Sequence, residues 1–357
     1  MFRFKIIDAY VFKELFFSLI LSVLAVNIIL MMEKILRVTS VLSDVGASVW
    51  DFTAIVLLIQ PQLLLLTLPM SFMISVLFTY SRLNMDNEAV ILRASGMSFA
   101  SMIKPVLVLA SLCFLLCLLV SFYLGPQSSN KLRLYLTQLI STKAPLAIKP
   151  GVFHTLFSDI VIFVREKPTE LLVKDVFIYD KRDKQRPWAI SASYGEIEFY
   201  KDMSVGLKLT NGEVFLTQGA ALTKINFDVY NMTVKITPDF NIKLSEYTPL
   251  ELLFNASFAD VSEKNAMLLE FYRRLTFPLL NFLIYMTAPC FTMTSRRAGR
   301  LGGLSLGFGF FIVYYSVLVY FENLAKSSRI APFLGGWSAF IIALAFSLYL
   351  FIRRSRQ

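Results

Sequence analysis

Six stretches of this sequence contain no Asp, Glu, Lys or Arg: Leu15 to Met32, Phe52 to Ser81, Pro105 to Asn130, Leu275 to Ser295, Leu301 to Phe321 and Ile330 to Ile352. At 1.5 Å of helical rise per residue, each is about long enough to cross a ~30 Å hydrocarbon layer. The expectation is a membrane α-helical fold with six transmembrane helices, three on each side of a middle segment that lacks such a run. Hydrophobic residues make up 56% of the 357 and charged residues 17%, which is too apolar for a soluble domain. The second and third runs are longer than the bilayer needs, so their ends are expected to project beyond it or tilt. Provisional boundaries follow: 1–130 for the first half, 131–265 for the inserted segment, and 266–357 for the second half.

The first run ends in Leu30-Met31-Met32-Glu33-Lys34, without the small-residue cleavage site of a secretory signal, and reads as a retained helix. Orientation follows from the basic residues. Arg3, Lys5, Lys13, Arg82, Arg93, Lys104, Arg296, Arg297, Arg300, Arg353, Arg354 and Arg356 gather on one side, twelve against the four (Lys34, Arg37, Lys326, Arg329) in the short loops opposite. By the positive-inside rule both termini are cytoplasmic, and the middle segment lies outside, in the periplasm of a bacterial inner membrane. The net charge of +10 is thus topological, and nucleic acid is not an expected partner. Lys34 and Arg37 follow the first span, while Lys131 and Arg133 follow the third. All four are candidates for a cationic ring around the outer mouth of one cavity, suited to a phosphate-bearing lipid headgroup, with ordinary snorkelling as the alternative.

From Gly151 to about Ile236 the pattern changes to short β-branched and aromatic runs: Ile160 to Val164, Val173 to Tyr179, Ala189 to Tyr200, Val205 to Gln218 and Leu222 to Ile236. Alternation in Glu196-Ile197-Glu198-Phe199 and Leu207-Lys208-Leu209 gives each strand a wet and a dry face. Asn211-Gly212 signals a tight hairpin turn. In the last run the apolar positions change from odd (Ile225, Phe227, Val229) to even (Tyr230, Met232, Val234, Ile236), which predicts a β-bulge near Val229 to Asn231. Many strands without intervening helices suggest a sandwich or jelly roll, whose apolar interior is either a closed core or a passage for an amphipathic lipid.

Between the second and third spans lies Ser81-Arg82-Leu83-Asn84-Met85-Asp86-Asn87-Glu88-Ala89-Val90-Ile91-Leu92-Arg93-Ala94-Ser95-Gly96. Asn84 or Asp86 is expected to cap a short helix spanning about 84–96, and Gly96 to stop it. Such a helix, with Glu88 at its start and an apolar face of Val90, Ile91 and Ala94, is either a plain connection or a coupling helix that lodges in a groove of a cytoplasmic partner, with Asp86 and Arg93 flanking. Gly303 and Gly307 make a small-x-x-x-small face at the start of the fifth span, for packing within the chain or against a partner helix at a lateral gate. Pro61, Pro69, Pro278 and Pro289 are positioned to kink the second and fourth spans. Cys113, Cys117 and Cys290 fall inside spans as packing residues, and His154 lacks a second ligand nearby, so neither a disulfide nor a metal is expected. No G-x-x-x-x-G-K-[ST] sequence is present to cradle a nucleotide, and the apolar runs hold no Asp, Glu, Lys or Arg for an ion pathway. A permease driven by a separate ATPase, or a membrane anchor that transports nothing, remains.

Several separate motifs in order resemble the LptF/LptG permease family. The stretch Ser81-Arg82-Leu83 through Asp86-Asn87-Glu88, Leu92-Arg93-Ala94 and Gly96-Met97-Ser98 is similar to its coupling-helix signature. Tyr10-Val11-Phe12-Lys13-Glu14 resembles its opening motif, Asp175-Val176-Phe177-Ile178 and Ala192-Ser193-Tyr194-Gly195 its strand motifs, and Arg274-Leu275-Thr276-Phe277-Pro278 the start of its fourth span. The resemblance implies two paired permeases, LptF and LptG, bound to a dimer of the LptB ATPase, which alone uses ATP and Mg. It implies extraction of lipopolysaccharide into a periplasmic bridge through LptC and LptA, with a jelly-roll domain in this chain. It places Glu88 against LptB and Lys34 and Arg37 near lipid phosphates. The first two spans lean toward the F member of the pair rather than the G member.

Overall fold

The computed structural model of the chain describes residues 6–45, 48–143, 150–157, 160–169, 171–181, 188–199, 204–218, 221–235, 243–294 and 299–356. Two compact units divide it: Met1–Lys34 with Leu57–Asn130 and Ile242–Gln357, and Ile35–Val56 with Lys131–Asn241. Among the described residues, six helical segments are long and apolar enough to cross a membrane: Ile6–Leu36, Val49–Met85, Lys104–Leu139, Val261–Thr292, Gly302–Lys326 and Pro332–Ser355. They belong to helices α1 (Ile6–Val45), α2 (Val49–Met85), α5 (Lys104–Leu119) with α6 (Gly125–Lys143), α8 (Val261–Thr294), α9 (Gly299–Lys326) and α10 (Pro332–Ser355). The short α3 (Glu88–Ala94) and α4 (Phe99–Met102) connect α2 to α5, and α7 (Pro249–Ala256) precedes α8. The helices overrun the charge-free runs because Lys, Glu and Arg are good helix formers at a watery end.

The third span is not a uniform helix, and its sequence explains why. Pro126 has no N–H and its ring crowds the carbonyl four residues back, so the helix widens to a π turn at Val120–Leu124, where the Gly125 N–H reaches the Val120 carbonyl. Pro278 creates the matching problem in α8, since the Arg274 carbonyl loses its helical donor. Ser121, carried on the π turn, donates its hydroxyl to that carbonyl at 3.1 Å. Side chains also back-bond around the prolines, Asn281 Nδ2 to Pro278 O at 3.0 Å and Thr292 Oγ1 to Pro289 O at 3.0 Å.

Helix α8 packs against α5, α7, α9 and α10. The buried core between them includes Phe72, Leu77, Ile103, Leu109, Leu280 and Ile284. Gly303 and Gly307 are buried against the chain's own α2: a Cβ at Gly303 would lie 3.5 Å from Ser81 Oγ, and one at Gly307 would strike Leu77. This small-residue face is therefore filled from within, and does not stand open toward a partner helix as the gate reading required. Cys113, Cys117 and Cys290 are buried and unbridged.

The inserted segment forms one antiparallel sheet of six strands in chain order: β1 (Phe153–Phe157), β2 (Ile160–Glu166), β3 (Leu172–Asp180), β4 (Trp188–Phe199), β5 (Ser204–Gln218) and β6 (Ala221–Lys235). The all-β insertion matches expectation, while its described pairings are those of a meander rather than the Greek-key crossings of a jelly roll. Its dry face carries Ile162, Val173, Ile178, Ile190, Ile197, Leu209 and Met232. Strand β1 and helix α7 were not foreseen, although Thr248-Pro249-Leu250-Glu251 is a capping box with Pro at the first helical position. His154 lies on β1, and its side chain is outside the described residues.

Two local expectations are corrected. Strand β5 runs straight through Asn211-Gly212, with Thr210 and Gly212 paired to Val229 and Phe227, so no hairpin turn forms there. Nor does β6 carry a bulge at Val229 to Asn231, since its register against β5 never shifts. The change of parity is instead shared by the strands. In β3 the buried positions pass from Val173 to Val176 and Ile178, in β4 from Ile190 and Ala192 to Ile197, and in β5 from Leu207 and Leu209 to Val214. The switch falls on one row, Arg165, Asp175, Ser193, Asn211 and Asp228, whose members are left out of each ladder. Asp175 and Asn211 have left-handed backbones, with φ of 50° and 54°. Asp and Asn tolerate that region best among residues with a Cβ. The sheet thus has a transverse crease that keeps both halves of its apolar face on one side.

Replacing Asn211 by Val is expected to destabilise the domain by ~1–2 kcal/mol, and Asn211→Gly to be neutral or better, because only the β-branched residue is strained at positive φ. Thermal unfolding of the detergent-purified chain, followed at the β-domain by hydrogen exchange, measures the difference.

Candidate functional site

The turn after α2 is built around one guanidinium. Arg82 sits in the last turn of α2, and its Nε and one terminal nitrogen grip both carboxylate oxygens of Glu14 on α1. The same terminal nitrogen donates to the Tyr10 hydroxyl at 2.8 Å, and the guanidinium carbon lies 5.9 Å from the Tyr10 ring centre. Its remaining nitrogen faces Asp86 at 3.4 Å and Glu88 at 3.5 Å. Those distances exceed a well-formed bond of ~2.7–3.2 Å, so Arg82 is committed to α1 and only loosely tethers the two acids.

Helix α3 is shorter than the expected 84–96. Asn84 lies within α2 and donates to the Thr292 carbonyl of α8 at 3.2 Å, and Asp86 turns toward Arg82, so neither caps α3. Asn87 occupies the cap position with φ of 60° and no side-chain bond. The stop is as read: Gly96 has φ of 83°, and the Gly96 and Met97 amides donate to the Arg93 and Leu92 carbonyls, a Schellman motif. Ala89 is buried and anchors the helix, Val90 and Arg93 are half-buried, and Ile91 is 65% exposed beside the partly exposed Glu88. An apolar side chain thus stands in solvent next to a carboxylate, both on a helix whose ends are fixed.

The second site is a cavity of ≈ 370 Å³ within the helical unit. Ile59, Leu63, Leu65, Leu66 and Phe277 give it an apolar wall, Gln62, Ser121 and Ser129 a polar one, and Lys34, Arg273, Arg274 and Glu270 its charge. The π turn builds the polar wall: Ser129 Oγ donates to the Gly125 carbonyl at 2.8 Å and accepts from Gln62 Nε2. Arg274 is 5% exposed and fully engaged, donating to the Tyr247 and Leu244 carbonyls and, at 3.2 Å, to Glu270. Arg273 lies over the Phe277 ring, 5.3 Å from its centre. Of the four cations expected to form a ring, only Lys34 lines this cavity. Lys131 and Arg133 lie on α6 within the other compact unit, and the Arg37 side chain is outside the described residues. The charges that join Lys34 come from α8, whose Arg273-Arg274 pair directly precedes the fourth apolar run.

Comparison with known proteins decides the family. The sequence profile of the lipopolysaccharide export system permease LptF/LptG matches residues 9–353. The chain belongs to the LptF/LptG family. Among its relatives are an uncharacterised protein, RP871, of Rickettsia prowazekii, 24% identical over 97% of this chain and 98% of that protein, and the lipopolysaccharide export system permease proteins LptF of Escherichia coli and Shigella flexneri, each 22% identical over 97% of this chain and 94% of theirs. The six apolar helices and the LptF/LptG assignment fit a multi-pass inner-membrane protein. Among the described residues of this LptF/LptG permease, no three His, Cys, Asp or Glu side chains gather as a metal site.

Sequence reasoning missed Glu14, Arg82 and Arg273 as site residues. Arg82 had been counted toward topology and quoted within the coupling-helix motif without a role of its own, and Arg273 is brought to the cavity by helix packing that no local pattern records. Arg274→Ala is expected to lower stability by roughly 3 kcal/mol, since two carbonyls and Glu270 would lose their donor. Arg273→Ala is expected to cost less than about 1 kcal/mol, the value of one cation–π contact. A thiol-reactive dye reporting exposure of the three buried cysteines on heating separates the two.

Proposed function

We propose that this LptF/LptG chain is the F-type permease of an ATP-driven exporter that extracts lipopolysaccharide from the inner membrane. The observation that carries the reading is α3, which presents exposed Ile91 beside Glu88 on a braced two-turn helix. That is the form of a knob for a partner's groove, and a plain connection has no need to hold an isoleucine in water. The partner proposed is a dimer of the LptB ATPase, which supplies ATP and Mg chemistry that this chain has no motif to perform.

The remaining parts fit the same task. LptG pairs with this chain in the membrane, and the relatives named LptF favour the F position for it. Both termini are cytoplasmic, as the basic residues require, so the β domain stands in the periplasm and hands lipid to LptC and LptA. Lys34 and Arg273 hold lipid phosphates at the cavity, while Arg274, spent on backbone carbonyls, shapes its wall. A cavity of ≈ 370 Å³ accommodates a headgroup phosphate with part of one chain and not a whole multi-chain lipid, so the site is completed by the paired permease.

Ile91→Asp and Glu88→Ala, made in the assembled complex, test the reading. Loss of a buried apolar anchor costs ~2 kcal/mol, roughly 30-fold in affinity, so Ile91→Asp is expected to release the ATPase on affinity purification and to stop lipopolysaccharide release from proteoliposomes. Retention of the ATPase and of release in both variants would remove α3 as the docking helix, and with it the observation that carries the reading.

A further inference from the structure

Helix α1 is pinned to the rest of the helical unit near its start. Val11, Leu15 and Leu19 are buried, and the Leu15 carbonyl accepts from Ser75 Oγ at 2.7 Å. Beyond them one side of the helix is bare, with Ile28, Ile29 and Met32 each more than 60% exposed, while Ser22 and Met31 stay buried. Tyr10 and Glu14, one helical turn apart at the held end, are the residues that Arg82 grips, and Arg82 is separated from α3 only by the end of α2 and the Asp86-Asn87 turn. Further along the same unbroken helix, Lys34 lines the cavity, about 30 Å from Glu14 at 1.5 Å per residue.

We infer that Glu14 and Arg82, with Tyr10, form a latch that transmits displacement of α3 to α1 and so to Lys34 in the cavity; the inference rests on α3 being the docking helix. The division of labour within Arg82 supports it. A bidentate fork fixes both the distance and the angle between α1 and the end of α2, which a single point charge does not. The nitrogen left over tethers Asp86 and Glu88 loosely, so a docked partner can take Glu88 without breaking the fork to Glu14. A continuous helix held at that angle carries the motion of its latched end along its length to Lys34. Glu14 and Arg82 are positioning residues on this account: neither touches the lipid or the nucleotide.

The test uses the whole complex in lipopolysaccharide proteoliposomes. Glu14→Gln keeps size and loses the charge-assisted fork. It is expected to leave ATPase copurification intact and ATP hydrolysis within about twofold of wild type, while lipid released per ATP falls about tenfold, the size of a typical coupling term. A purely structural role would lower hydrolysis and release together. A Glu14→Cys, Arg82→Cys pair supplies the converse: uncoupled when the thiols are free, and restored when a short bifunctional thiol reagent bridges them, since the three native cysteines are buried and do not compete. Wild-type release from Glu14→Gln, loss of the ATPase from that variant, or a bridged pair that stays uncoupled each overturns the latch. If the two permeases carrying Glu14→Gln do not fold or pair in the membrane, recovery on bridging decides. Failure of the docking reading would differ, because Ile91→Asp would then leave the ATPase in place while Glu14→Gln is silent.

Discussion

A backbone carbonyl or amide left unpaired in hydrocarbon costs several kcal/mol, and the helical half of this protein is arranged around that penalty. Its six spans would meet it trivially if they were uniform helices. They are not, because four prolines interrupt α2 and α8 and a fifth, Pro126, widens the third span. One repair links two of these faults: the hydroxyl of Ser121, displaced by the π turn, reaches the Arg274 carbonyl that Pro278 has orphaned. The consequence is functional as well as structural. Ser121, Gly125, Pro126 and Ser129 form one wall of the charged cavity, so the irregular backbone sits where a polar lining is required and nowhere along the dry α5 core.

The same economy places Arg274. A guanidinium at 5% exposure would be prohibitive unless its donors were engaged, and they are, by two carbonyls ahead of α8 and by Glu270 one turn back. Arg274 therefore fixes the approach to the fourth span, while its neighbour Arg273 faces the cavity over an aromatic ring. Adjacent arginines in sequence thus divide into a brace and a surface charge, and only their surroundings tell them apart.

What could be read from the sequence follows the range of the forces involved. The spans were legible because the absence of charge over about 20 residues is a bulk requirement of the bilayer. Most strands were legible because alternation in Glu196-Ile197-Glu198 or Leu207-Lys208-Leu209 reports one wet face. The parity change in β6 was read, and its device was not. A left-handed Asn serves a hairpin turn and a crease equally, and the choice depends on Asp175 and Ser193 lying in the same row, which is a matter of strand register. Asn84 and Asp86 were misread as caps because each takes another partner than the amides of α3, Asn84 the distant Thr292 carbonyl and Asp86 the Arg82 guanidinium one turn back. Lys34 was found because it follows a span, whereas Arg273 required knowledge of which face of α8 meets the cavity.

The placement of the two sites also constrains how an exporter of this kind must work. Moving each acyl methylene out of hydrocarbon costs ~0.8 kcal/mol, so a multi-chain lipid crosses no aqueous gap at a useful rate. The cavity is far too small to enclose such chains, and its apolar wall is only part of its lining. In the proposed exporter the cations therefore serve to hold a headgroup in register while the chains stay against lipid-exposed helix surface, such as the Ile28, Ile29 and Met32 side of α1. The work of extraction then falls on changing where that surface ends, not on gripping the lipid more tightly. On the proposed reading, a single long helix, latched where force enters and carrying a cation where the headgroup rests, meets both demands with one rigid element.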